Sequence, residues 1–166
     1  MSLYKLSLNQ NVLNATQERM TWTLENFARV CISFSGGKDS TVMLYLACEC
    51  ARRMRRKIDV LFIDWEAQFT STIQHIENMR THFHDVIDNF WWVALPLTTQ
   101  NSLSQFQPEW QCWEPGARWV RQPPKDAITD PGYFPFYQSG MSFETFVREF
   151  ADWFSQNRPA AVMVGI

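Results

Sequence analysis

Val30-Cys31-Ile32-Ser33-Phe34-Ser35-Gly36-Gly37-Lys38-Asp39-Ser40 is the stretch that decides the fold. An apolar run of strand type ends at Phe34, a glycine pair follows, and an amphipathic run of helical type begins at Thr41. A strand, a Gly-rich turn and a helix N-terminus in that order form an anion cradle. The paired glycines admit φ > 0 and bring backbone amides close to a ligand. The first turn of a helix has unpaired N–H groups and a partial positive charge. Together these hold phosphate or sulfate. Lys38 adds a mobile cation, and Ser35 and Ser40 add hydroxyl donors.

Outward from this stretch, strand and helix patterns alternate. Residues 11–27 read as a helix whose stripe is Val12, Leu13, Thr16, Met20, Trp22, Leu24 and Phe27. Residues 29–34 form the first strand, apolar enough to be central. Residues 39–55 form a helix that packs through Val42, Met43, Leu44, Leu46 and Ala47, and its end carries Arg52, Arg53, Arg55, Arg56 and Lys57. Basic residues suit a helix C-terminus, and a solvated cationic end is the favoured reading of the cluster. Residues 58–64 form a second strand, 71–84 a helix and 90–97 a third strand. Residues 98–140 look irregular and are rich in Trp and Pro; seven of the eight prolines fall between Pro96 and Pro135. An insert of that length in a compact domain is a functional or mobile element. Ser142 caps a helix over 142–156 with a wide aromatic face, and 159–165 is a fourth strand.

This alternation predicts an α/β fold, Rossmann-like, with three α/β/α layers and a mostly parallel sheet in the order 3-2-1-4. The switch point then lies between strands one and four, beyond the carboxyl ends of the strands, where ligands bind in open α/β sheets. The cradle and Gly165 are expected to meet there.

Composition bounds the function class. With 166 residues, 46% hydrophobic and 19% charged, the chain reads as one globular domain over 1–166. A net charge of −2 gives no global argument for a nucleic-acid or membrane surface. No apolar run approaches the roughly 20 residues of a membrane span, and no secretory leader is evident, so the cytoplasm is the expected compartment. The four cysteines, Cys31, Cys48, Cys50 and Cys112, lack metal-finger or C-x-x-C spacing and are read as free thiols. Cys112 is the one to watch, because it falls in the insert.

The cradle is not the common mononucleotide loop: Asp39 follows Gly37-Lys38, and no earlier Gly stands at the required distance. Ser35-Gly36-Gly37-Lys38-Asp39-Ser40 instead resembles the PP-loop of the ATP pyrophosphatase (adenine nucleotide alpha hydrolase-like) superfamily. Phe62-Ile63-Asp64, with Phe69 shortly after, is similar to the end of strand two in its phosphoadenylylsulfate (PAPS) reductase-like branch, with Trp65-Glu66 in place of Thr-Gly. The Trp-rich insert before strand four resembles the IbrA-like (immunoglobulin-binding regulator) subgroup, where a ParB-like protein partner is common. The resemblance covers about 11–97 and 159–166. Val164-Gly165-Ile166 is similar to the start of the family's Gly-x-Arg segment, which places the chain as the N-terminal part of a longer architecture.

The resemblance implies an adenine-nucleotide site built from Ser33, Phe34, Ser35, Gly36, Gly37, Lys38, Asp39, Ser40, Asp64, Phe69 and Gly165, with Lys38 and Asp39 in the catalytic role. ATP, or PAPS or adenylylsulfate, is the implied ligand. Mg²⁺ would bridge the phosphates with Asp39 or Asp64 as candidate ligands; no all-protein metal site is expected. The implied reaction is transfer with α–β phosphate cleavage and pyrophosphate release. Two alternatives stand beside it: a non-catalytic nucleotide-sensing module and an inactive scaffold fragment. A homo-oligomer is allowed. In the insert, Arg118, Arg121 and Lys125 are candidates to read a substrate anion, and Trp110, Trp113 and Trp119 to stack on a base; an aromatic mini-core is the competing reading of each.

Overall fold

β1 (Arg29–Ser33), β2 (Ile58–Ile63), β3 (Ile87–Val93) and β6 (Ala160–Val164) form one parallel sheet in the order β3-β2-β1-β6, in a computed structural model that describes residues 9–101 and 104–165. This is the expected 3-2-1-4 order, because β6 is the fourth strand of the main sheet. β1 sits between two partners, with Cys31 level with Asp59 on β2 and Val162 on β6. The helices are α1 (Val12–Asn26), α2 (Lys38–Arg53), α3 (Thr70–His82) and α4 (Phe143–Ser155).

Strand side chains alternate between two faces, and each face owns a core. Val30, Ile32, Val60, Phe62 and Trp92 face a core completed by Met20 and Leu24 of α1, Leu44 and Ala47 of α2, and Ile76 of α3. Cys31, Leu61, Trp91 and Val93 face the other, which is filled by Phe146, Phe150 and Phe154 of α4 together with Phe134 and Trp113 of the insert. The three α4 phenylalanines are fully buried. Each such burial stabilises the fold by about 1.5–3 kcal/mol relative to exposure. Their spacing of four places them on one stripe, as the aromatic pattern predicted. Ser142 caps α4, its Oγ accepting from the amide of Thr145 at 3.2 Å.

Several expectations need correction. In α1 only Met20 and Leu24 are buried, whereas Val12, Leu13 and Trp22 are exposed. The helix packs through a narrow seam against α2, so the broader stripe was not required. Val42 on α2 is exposed, and Cys48 and Cys50 are both buried, with the Sγ of Cys50 3.3 Å from the Thr21 hydroxyl of α1. β3 spans Ile87–Val93 rather than 90–97, because its pairing with β2 begins at Ile58–Ile87. The insert is not wholly irregular: β4 (Thr98–Gln100) and β5 (Glu109–Gln111) form an antiparallel hairpin. Ile128 then returns to the free edge of β3, donating to Trp92 O at 2.7 Å and accepting from Ala94 N at 2.9 Å, and so covers an exposed sheet edge. In the basic cluster, Arg52 pairs with Glu49 and Asp85, while Arg56 and Lys57 donate to backbone carbonyls of other segments. No helix among the described residues is long and apolar enough to cross a membrane.

Candidate functional site

The cradle opens where β1 ends. Phe34 continues the strand, donating to Leu61 O at 2.8 Å, and its ring is buried in the core. Ser33 is the last strand residue, in register with Leu61 and Val164. Gly36 then turns the chain with φ +78°, and a Cβ there would lie 3.0 Å from both Ile76 and Thr72 of α3. Gly37 has an ordinary extended backbone (φ −75°, ψ 165°) and is the N-cap of α2. Thus only the first of the two glycines needs its conformational freedom. Because Gly37 has no side chain, α2 has no side-chain cap. The N–H groups of its first turn are therefore left for an external acceptor, and the helix dipole adds to their pull on an anion.

Gly165, at the end of β6, closes the other side. A Cβ on it would stand 3.1 Å from both the N and the Cα of Ser40. The cradle and the last strand therefore do meet at the switch point, as expected. Ile166 lies outside the described residues.

The side chains depart from expectation more than the backbone does. Ser40 is buried. Its hydroxyl donates to Gly37 O at 3.1 Å, accepts from Ser35 N at 3.2 Å and lies 3.0 Å from the Ser35 hydroxyl. It is a staple inside the turn rather than a free phosphate donor. The Ser35 hydroxyl also accepts from Gly37 N at 3.3 Å. Lys38 is exposed and rests on Asp39, its Nζ 2.8 and 2.7 Å from the two carboxylate oxygens. A pair this exposed is weak, so Lys38 is free to swing to a phosphate at little cost.

The end of β2 behaves differently. Asp64 has no exposed surface. Its carboxylate accepts from Trp92 Nε1 at 2.8 Å, from the amide of Glu66 at 2.9 Å and from the Arg121 guanidinium. Its own carbonyl accepts from Trp113 Nε1 at 2.6 Å. With three partners and no exposed surface, the Asp64 carboxylate is committed to the turn rather than presented to a ribose or a metal. Glu66, with φ +60° and 6% exposure, accepts from the amides of Trp113 (2.7 Å) and Val120 (2.8 Å). Together the two acids fasten the insert to the sheet. Trp113 and Arg121 therefore serve as anchors of the insert, the Nε of Arg121 being buried without a partner among the described residues. Trp119 is spent likewise, its Nε1 donating to Glu114 O at 2.9 Å. Phe69 is not a core residue: it is the N-cap of α3 and 83% exposed. It stands one helical turn before Thr72, the residue that abuts Gly36. An exposed ring beside the cradle is available to a flat ligand.

His75 carries no motif and sequence reasoning passed over it. Its Nε2 lies 2.9 Å from the Thr41 hydroxyl, which donates its only proton to Gly37 O at 2.8 Å. Nε2 must therefore carry the proton it gives to Thr41. This relay ties α3 to the N-cap carbonyl of α2 and holds the cradle from behind. The only signal in the sequence was one polar, ring-bearing residue within the inward face of α3.

Burial makes the thiols inert. Loss of solvation pushes Cys48 and Cys112 up to about 12 and raises Cys31 further. Cys112 also donates weakly to the carbonyls of Leu95 and Leu97, both at 3.5 Å, so its place in the insert does not make it reactive.

Residues 29–116 match the model of the phosphoadenosine phosphosulfate reductase domain. The chain belongs to that family. The matched stretch runs from β1 through the β4–β5 hairpin, further into the insert than the motifs alone indicated. An uncharacterised Escherichia coli K12 protein, YbdN, is 67% identical over 166 residues, all of this chain and 41% of its own length. A second uncharacterised protein, from Methanocaldococcus jannaschii, is 37% identical over 67 residues, 37% of this chain and 13% of its own length. The chain thus spans about two fifths of the first relative. Among solved structures, an NH3-dependent NAD synthetase from Campylobacter jejuni in complex with nitrate aligns with a TM-score of 0.37 at 14% identity, covering 47% of this chain and 33% of that one. That likeness is too slight to bear on function. Within a PAPS reductase-like domain, the PP-loop is the Ser35–Ser40 turn described above.

Proposed function

We propose that this PAPS reductase-like domain binds an adenine nucleotide, with its phosphates in the turn between β1 and α2. One observation carries the reading: an uncapped helix N-terminus, entered through Gly36 at φ +78° and walled by Gly165 where a Cβ does not fit. Amides of Gly36, Lys38 and Asp39 would hold phosphate oxygens, and Lys38 would leave Asp39 to neutralise charge. Phe69 would lie against the base. Mg²⁺ would supply charge neutralisation between phosphates. Here it finds one exposed carboxylate, Asp39, and the remaining ligands would come from the nucleotide and water.

The activity implied by the PP-loop is cleavage between the α- and β-phosphates with release of pyrophosphate. For that step the chain's own residues would act by positioning and by stabilising charge. Calorimetry with ATP tests the binding step. The Lys38→Ala variant is expected to bind about tenfold more weakly, the loss of one charge-assisted contact, at unchanged stability. Equal affinity of variant and parent would overturn the assignment. Pyrophosphate release, followed with ATP and candidate acceptors, separates turnover from simple sensing.

A further inference from the structure

A second cavity opens at the same end of the sheet as the cradle but on the insert side. It is a cleft of about 860 Å³ between the end of β2 and the β4–β5 hairpin. That volume suits a small metabolite. Its floor is rigid, because buried Glu66 lines it and is pinned by the amides of Trp113 and Val120. Trp110 provides one flat wall, packed on Trp65 with ring centroids 6.4 Å apart. The charges facing the opening are Glu109, Glu114 and Arg118. None of the three forms an ion pair among the described residues. Gln100 and Gln107 add amides that donate and accept.

This lining selects its ligand. Glu66, Glu109 and Glu114 against Arg118 leave the cleft negative, so a phosphate or a dicarboxylate is repelled. A wholly apolar ligand would strand the amides and charges. A molecule with a cationic nitrogen for Glu109 and Glu114, a carboxylate for Arg118 and a body to lie on Trp110 matches the three charges and the flat wall. We propose that the cleft is a second binding site, for a small zwitterion of the amino-acid type. It is independent of the nucleotide reading, since none of the residues named here belongs to the cradle.

Ligand-observed saturation-transfer NMR, run without nucleotide on a mixture of the twenty standard amino acids, tests the site directly. At least one amino acid is expected to take up saturation. Calorimetry with that compound should then show about tenfold weaker binding in Glu109→Gln/Glu114→Gln and in Arg118→Gln. Its decarboxylated amine should bind about tenfold more weakly to the parent, yet equally to parent and Arg118→Gln. All three side chains are exposed, so melting temperatures should not move. No transfer from any amino acid, variants that bind as the parent does, or stronger binding of succinate than of the amino acid would each overturn the proposal. Because nucleotide is absent, failure here leaves the ATP measurement untouched, and failure of ATP binding leaves this one readable.

Discussion

The turns that follow β1 and β2 leave the same end of the same sheet, one strand apart, yet they treat polar groups in opposite ways. After β1, the groups that matter are backbone amides at an uncapped helix start, with Lys38 and Asp39 in solvent. After β2, Asp64 and Glu66 are buried and their oxygens are taken by Trp92, Arg121, Trp113 and Val120. A turn with unspent amides at its mouth is built to receive something; a turn whose buried acids are tied to a distant segment is built to hold the molecule together. The presence of an acid at a strand's carboxyl end therefore says little until its partners are counted.

The contrast can be broken most forcefully at Asp64. Asp64→Ala strands the Trp92 and Arg121 donors in the interior and should lower stability by about 3–5 kcal/mol in urea denaturation, the usual loss for breaking a buried charged pair. A stable Asp64→Ala protein with weakened ATP binding would reverse the roles given to the two turns. Gly165→Ala comes next. Its Cβ presses the backbone of Ser40, so ATP affinity measured by calorimetry should fall about tenfold or more, with a smaller loss of stability. Lys38→Ala should match it in binding while leaving the melting temperature alone. His75→Ala is gentler: a loss of roughly two- to fivefold in ATP affinity, the size of one neutral hydrogen bond, restored by His75→Gln, whose amide can donate to Thr41 in place of Nε2. Failure of Gln to rescue would mean that His75 acts only by filling space.

At neutral pH the buried thiols contribute the least. Their native values lie above the ordinary 9.0, at about 12 for Cys48 and Cys112. Unfolded chains therefore lose those protons first as pH rises. Stability should be intact below pH 9 and decline between about 9 and 12, by up to about 1.4 kcal/mol per thiol per pH unit. Denaturation midpoints that stay flat across that range would contradict the burial of these sulfurs.

Much of this architecture was legible beforehand. The apolar runs of β1 and β2 and the period-3.6 spacing in α4 are strong local signals, and the alternation of strands with helices led to the strand order and to the meeting of Gly165 with the cradle. What stayed hidden was the fate of individual side chains. Asp64 reads as a ligand from its motif position, and only the return of Trp113 and Arg121 from some fifty residues away reveals that its oxygens are taken. Phe69 could be named from its motif position, but only the N-cap geometry of α3 shows that its ring stands in solvent. Ser40 looks like a donor until its buried bond to Gly37 is seen. The β4–β5 hairpin was missed because three-residue strands among prolines carry almost no periodicity.

The two cores also give the protein a built-in optical asymmetry. Six of the eight tryptophans, Trp65, Trp91, Trp110, Trp113, Trp119 and Trp153, belong to the core on the α4 side of the sheet, while Trp92 lies in the other core, Trp22 is exposed on α1, and the Ser35–Ser40 turn contains no indole. Intrinsic emission and near-ultraviolet dichroism will therefore report mainly on the insert side, with Trp92 as the buried indole in the core that Phe34 and Ile76 share. Unchanged fluorescence on adding a nucleotide would therefore leave its binding open, whereas a large spectral shift would point first to the hairpin side of the molecule, where most of the indoles lie.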